Sequence, residues 1–443
     1  MNDYTPWRAT KFYIPLALQA TSQSLTYPLV ASIVSHGSNG VQELAAFTQG
    51  QIMMFVIGSF GGGLITTGMV FGRDKIGHQT FKRLNMLFAL ALCTLQALIC
   101  IPTISALIFE QLIGLTPDLA RIARNVLFIS IPVQFLFFIR NTPIVALYNA
   151  RASTSANWAT VARIALTGAI VPLFIKMQWV GYAMGMVATT IPVLLETLLA
   201  YALARPYVAA LQSAEHAPAP LKTQFTFTVP ISFGGVLLAI SSFMVGAFIA
   251  RAPDPLRMLP IHYVTMGVIN PVSYAALRIQ AVVISFASET DRHAHAVLRF
   301  AIIAGAILAI FPLAVQIPAV AEWYFGSIQN LPHADIRLAV QSASIVAILP
   351  ILQSIRSHAE GLAAYRKRPN AILAGQAIYM AMLVFTLFAG LSFKLPGNLL
   401  GVIAVLVAVL FTAITIRLGL LWAEMEDQMG KTNNVRFPEG GDR

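Results

Sequence analysis

Two arginines lie in stretches of sequence that are otherwise apolar. Arg140 sits within Phe137-Phe138-Ile139-Arg140-Asn141, and Arg356 within Gln353-Ser354-Ile355-Arg356-Ser357. A basic loop follows each at nearly the same distance, Arg151 after the first and Arg366-Lys367-Arg368 after the second. With a helical rise of ~1.5 Å per residue, Arg140 is about 16 Å from Arg151 and Arg356 about 15 Å from Arg366. In a hydrocarbon core ~30 Å thick, both guanidiniums fall near the midplane. An ionisable group there is costly and is usually aimed at the bundle interior or a wet cavity. The expectation is that the two arginines flank one central cavity.

Further polar residues join them. Arg278 lies about 16 Å from Glu289, hence equally deep. Asn270, Tyr274 and Arg278 recur every four residues and share one helical face, as Gln353, Arg356 and Glu360 do on another. Three midplane cations make a positive cavity suited to phosphate or carboxylate, which a planar guanidinium binds bidentately. Arg140, Arg356, Arg278, Tyr274, Asn270 and Gln353 form the candidate substrate-binding set. A purely structural alternative pairs Arg356 with Glu360 one helical turn away, and Arg140 with Glu196. Only Glu196 and Glu360 lie clearly within the core, so by count one of the three cations is left for water, a carbonyl or a ligand.

The same two carboxylates are candidates for a coupling ion, proton or sodium. His358, two residues after Arg356, points to a different side of its helix and fits packing better than proton relay. Arg163, near a span end, is expected to snorkel. His293 and His295 have no carboxylate or cysteine at ligand spacing, so no metal site is expected there. No Ser/His/Asp or Cys/His set appears and no Walker A pattern is present. Neither an enzyme nor a cofactor is indicated.

These residues need long apolar helices to hold them. The chain has 443 residues, 57% hydrophobic and 11% charged, with mean hydropathy +0.73. Soluble domains are roughly one quarter charged, so the class is an all-α polytopic membrane protein. At ~20 residues per span there is room for about twelve. Predicted spans are 12–35, 42–71, 84–109, 119–148, 157–177 and 179–204, then 225–250, 258–287, 298–321, 335–363, 371–391 and 399–422. Residues 205–224 form a proline-containing linker between two six-helix lobes, 1–204 and 225–422, and 423–443 a polar tail. The formal net charge of +11 is dispersed through short loops, which fits the positive-inside rule and excludes a nucleic-acid surface. Lys and Arg concentrate on alternate loops, which places both termini in the cytoplasm. The lipid bilayer is then the chief partner, with a bacterial inner membrane and a monomer expected.

The lobes read as copies. Phe12-Tyr13-Ile14-Pro15 opens the first and Phe227-Thr228-Val229-Pro230 the second. Pro15 and Pro230 are 215 positions apart, and Arg140 and Arg356 are 216 apart. Six spans separate equivalent points, so both copies insert the same way up and the pseudo-two-fold runs along the membrane normal. Prolines recur inside the spans, where bent helices free carbonyls that survive only when buried or facing a cavity.

The opening Phe12-Tyr13-Ile14-Pro15-Leu16 resembles that of the progressive ankylosis family. The run from Val41-Gln42-Glu43-Leu44-Ala45 to Gly68-Met69-Val70-Phe71 is similar to that family's second span. Ile355-Arg356-Ser357-His358-Ala359-Glu360-Gly361 resembles its Arg-x-His-x-x-Gly segment in the tenth. The resemblance implies the multidrug, oligosaccharidyl-lipid and polysaccharide exporter superfamily, with a MATE-type architecture of two six-helix lobes. It further implies export of small polyanions such as citrate, nucleotides or pyrophosphate. Arg356 and His358 match the motif, whereas Arg140 enters through the internal repeat. Around Leu277-Arg278-Ile279-Gln280 the order of charged residues departs from the family pattern.

The leading expectation is therefore secondary active export of a small anion by alternating access. Competing readings are a flippase for a lipid-linked pyrophosphate precursor, a MATE-type multidrug antiporter, and a non-transporting membrane scaffold. Neither 12–35 nor 225–250 holds an Asp or Glu, which argues against a cationic drug.

Overall fold

Apolar runs of this length, with no water to satisfy their backbones, form helices. The computed structural model describes residues 4–37, 40–213, 219–286, 291–329 and 331–436, and these are all-helical apart from turns and connectors. Glu289, the middle of the 205–224 linker and the end of the tail lie outside the described residues, as does the side chain of His293. We number the long helices α1 Pro6–Ser35, α2 Glu43–Phe71, α3 Lys75–Ile99, α4 Pro117–Asn149, α5 Ser153–Lys176 and α6 Tyr182–Ala209. In the second half they are α7 Leu221–Ile249, α8 Arg257–Phe286, α9 His295–Gln316, α10 His333–Tyr365, α11 Pro369–Ser392 and α12 Gly397–Ala423. Helices α2 to α12 give 11 that are long and apolar enough to cross a membrane. The remaining helix, α1, has the length but carries Gln19, Thr21, Ser22, Gln23, Ser24 and Thr26 in its middle. The α12 helix continues past its apolar part to Arg436, so the polar tail is helical that far.

Packing repeats between the halves. Helix α1 packs on α5 as α7 packs on α11, and α5 on α6 as α11 on α12. The seam between the halves is made mainly by α1 against α8 and α2 against α7. Short pieces before α4 and before α10 repeat too. Pro102–Ala106 leads into a π-helical turn Leu107–Leu112, and Pro318–Ala321 into Glu322–Ile328. Phe109 and Phe325 anchor these turns, both fully buried. They were hidden in the sequence because they extend the apolar runs of α3 and α9 without a break in hydropathy. Arg151 and Lys367 both adopt a left-handed backbone, φ 56° and 57°, as do Gln178 and Lys394, φ 57° and 54°. Each of these pairs keeps the 216-position offset of the arginines.

The long helices are broken where the site lies. In α2 the hydrogen bonds tighten to three-residue steps at Phe60, Gly61, Gly62 and Leu64, while Gly63 N donates to Ser232 Oγ of α7 at 3.2 Å. A Cβ on Gly63 would lie 2.7 Å from the carbonyl oxygen of Thr228, so only glycine lets α2 cross α7 this closely. Helix α8 is interrupted at Arg278, whose N–H reaches Ala275 O at 3.0 Å instead of the carbonyl one residue earlier. Arg278 and Gly62 stand at equivalent positions of the repeat. One half places a guanidinium at its break, and the other leaves the space open.

Candidate substrate cavity

In the first half the site begins with a carboxylate. Glu196 of α6 is fully buried, and it forms an ion pair with Arg140 of α4. The same carboxylate accepts from Arg163 of α5 at 3.1 Å and from Thr160 Oγ1 at 2.6 Å. Thr160 accepts from Gln19 Nε2 at 2.8 Å, and Gln19 Oε1 accepts from Tyr148 Oη at 2.8 Å. Four helices are thereby tied together by one polar chain. Two guanidiniums share one carboxylate, which leaves one surplus positive charge. Arg163 is 4% exposed, so it does not snorkel as its position near a span end suggested. Its partner on α6 gives it a reason to stay inside.

The second half repeats the plan with different letters. Arg356 of α10 is 2% exposed, and its Nε donates to Glu360 Oε1 at 2.9 Å. Its Nη2 donates to Gln376 Oε1 of α11 at 3.1 Å and its Nη1 to Gln353 Oε1 at 3.4 Å. Gln376 Nε2 closes the ring by donating to Glu360 Oε1 at 2.6 Å. Thr160 and Gln376 are repeat equivalents, and each donates to the carboxylate of its half. Arg163 is replaced by Tyr379, whose ring lies 5.4 Å from the Arg356 guanidinium. Charge here balances, one guanidinium against one carboxylate.

Arg278 stands apart. Among the described residues its side chain has no ion pair and no hydrogen bond. It lines a cavity of about 990 Å³ together with Asn270, Tyr274, Gln280, Arg356, Glu360 and Gln376. The four-residue spacing therefore does bring Asn270, Tyr274 and Arg278 to one wall. A smaller cavity of about 370 Å³ lies in the first half, lined by Gln134, Arg140, Asn141, Arg163 and Thr189 among others. Phe55 and Gly62 line both. The expectation that Arg140 and Arg356 flank one cavity is thus corrected. They face two adjoining cavities, because each is drawn towards the carboxylate of its own half. Gln353 supports Arg356 from behind, and neither it nor His358, buried in α10, lines either cavity. Gln376 and Gln280, which spacing did not single out, do line the larger one.

The larger cavity carries two guanidiniums and one carboxylate, hence a net positive charge amid amide and hydroxyl groups. In low dielectric such a surplus is felt strongly. No group of three or more His, Cys, Asp or Glu side chains able to hold a metal ion occurs among the described residues.

No family model and no curated relative matches the chain. Solved structures do. An outward-facing MATE family multidrug resistance transporter of the MOP superfamily aligns over 96% of this chain and 97% of its own, with TM-score 0.76 and 15% identity. A MOP superfamily transporter from Pyrococcus furiosus, whose binding pocket is described as having reversed polarity, aligns over 95% of each chain, TM-score 0.72 and 14% identity. A eukaryotic MATE transporter aligns over 94% and 95%, TM-score 0.72 and 15% identity. At such identity the likeness concerns architecture, and the fold is that of the MATE transporters. It is the all-α, two-lobed arrangement that the resemblance in the sequence implied.

Proposed function

We propose that the protein is a secondary active transporter that exports a small organic or phosphorylated anion, of the citrate, pyrophosphate or nucleotide class, by alternating access. The observation that carries this reading is Arg278, a guanidinium with no ion pair or hydrogen bond among the described residues, lining a cavity of about 990 Å³. Arg356, Gln376 and Asn270 supply further donors around the same space. A scaffold would pair its buried cations and close its centre. The two neighbouring cavities, one within the first half and the larger one between the halves, share Phe55 and Gly62 and fit a path that lobes rocking about the seam open to either side. The reversed pocket polarity described for the Pyrococcus furiosus neighbour is a parallel within the same fold.

Glu360 is the stronger coupling candidate. It lines the cavity and is paired with one guanidinium, so a proton can compete with Arg356 for the carboxylate and an arriving anion can compete with the carboxylate for Arg356. Glu196 already accepts from two guanidiniums and a hydroxyl, which suits a fixed strut. On this reading the basic loops and both termini face the cytoplasm, the membrane is a bacterial inner membrane, and the transporter works as a monomer. Proteoliposomes loaded with labelled citrate, pyrophosphate or nucleotide test the assignment by efflux. Arg278→Gln and Arg356→Gln are each expected to slow efflux of the preferred anion at least about tenfold, the size of one charge-assisted contact. Wild-type rates in both variants refute the site.

A further inference from the structure

A second positive site lies at the seam, at the ends of the long helices and away from the central cavity. Arg73 follows α2 and Arg151 follows α4, both at the end that carries the basic loops. Each reaches across to the other half. Arg73 Nη2 donates to Ile284 O at 2.8 Å and its Nε to Met69 O at 2.9 Å, while Arg151 Nη2 donates to Ser285 O. The Arg151 guanidinium also lies 4.0 Å from the Phe286 ring. Its repeat equivalent Lys367 sits 5.4 Å from Phe71, so the two halves clasp each other reciprocally.

Beside the clasp lies a cavity of about 280 Å³ lined by Arg73, Asn149, Arg151, Tyr207 and Ser285, with no carboxylate on its wall among the described residues. Neither arginine has an ion pair among the described residues, and carbonyl partners leave their charge uncompensated. Burial lowers the pKa of both guanidiniums, and the charges of Arg73 and Arg8 add to the effect at Arg151. Crowded like charges of this kind are relieved by an anion. A separate observation concerns Ser285. Its Oγ is buried and has no hydrogen-bond partner among the described residues, a cost that a ligand oxygen would remove.

We propose that this cavity binds a phosphate group, free or at the head of a phospholipid, held by Arg73, Arg151 and the Ser285 hydroxyl, and that the bound group fastens the two halves together at this end. Two guanidiniums in a small polar enclosure match the tetrahedral oxygens of phosphate, and one hydroxyl donor completes the set. The site is separate from the transport pathway and does not depend on what the central cavity carries.

The test uses the full-length protein in nanodiscs, with melting temperature followed against inorganic phosphate in neutral phosphatidylcholine, and against phosphatidylglycerol content without added phosphate. The wild type is expected to be stabilised in at least one arm; the first arm would identify a free ion, the second a lipid headgroup. Arg73→Gln, Arg151→Gln and Ser285→Ala are expected to weaken that stabilisation, each arginine variant by about tenfold in the concentration required. Ser285→Ala retains the carbonyl that Arg151 uses, so it folds even where an arginine variant does not. Arg278→Gln serves as the control for binding in the central cavity and is expected to leave this response intact. No stabilisation in either arm, a response unchanged in Ser285→Ala and both arginine variants, or a response lost in Arg278→Gln alone would overturn the proposal.

Discussion

At Glu196 two arginines and a threonine hydroxyl meet one fully buried carboxylate. Removing a partner from such a set costs more than the set contributes, because the remaining charges stay buried without compensation. Glu196→Gln leaves Arg140 and Arg163 facing each other and is expected to destabilise the protein by about 3–5 kcal/mol. Loss of folded protein on thermal ramping in detergent reads it out, and a melting temperature equal to wild type contradicts it. Arg278→Gln is expected to do the reverse. With no ion pair or hydrogen bond to lose among the described residues, it leaves stability within about 1 kcal/mol while reducing anion-dependent stabilisation. A large drop in stability without ligand would mean that Arg278 holds the fold. Arg163 marks what the sequence concealed at this scale. The rise argument that places Arg140 deep, counted from the start of α5 at Ser153, puts Arg163 about 15 Å in as well. Its partner is on a different helix at no regular spacing, so the pairing itself could be read only from the structure.

At the scale of the helix, hydropathy suffices to place α2 to α12, and the recurring 216-position offset relates the two halves. The breaks were harder to see. Glycines at 61–63 signal a weak point in α2, yet nothing in Leu277-Arg278-Ile279 announces the break in α8. The π-helical turns at Leu107–Leu112 and Glu322–Ile328 arise from tertiary packing of Phe109 and Phe325 and have no local signature. Two glycines give opposite expectations. Gly63→Ala puts a methyl 2.7 Å from Thr228 O, pries α2 from α7, and should cost about 1–3 kcal/mol. Gly168→Ala in the middle of α5 meets nothing within 4 Å and should stabilise by about 0.5–1 kcal/mol through helix propensity. Thermal stability of the pair checks both, and a reversed order would show that the α2–α7 crossing is looser than it looks.

For the molecule as a whole, the two halves repeat their packing but not their charge. The first half keeps its surplus cation in a network around Glu196, and the second presents Arg278 to open space. A symmetric scaffold had no need to place an arginine where its twin has Gly62. The asymmetry fits the proposed carrier with one main binding site, and it also accounts for the positive sign of the larger cavity. Its outer helices leave Phe311, Phe385 and Phe388 exposed, as a surface in contact with lipid should.

Isothermal titration of the purified protein with citrate, pyrophosphate and ATP, and with a lipophilic cation such as tetraphenylphosphonium, tests that sign most directly. At least one anion should bind, its affinity should fall about tenfold or more in Arg278→Gln, and the cation should give no heat. A cation that binds tightly, with every anion silent or indifferent to Arg278, would contradict the account.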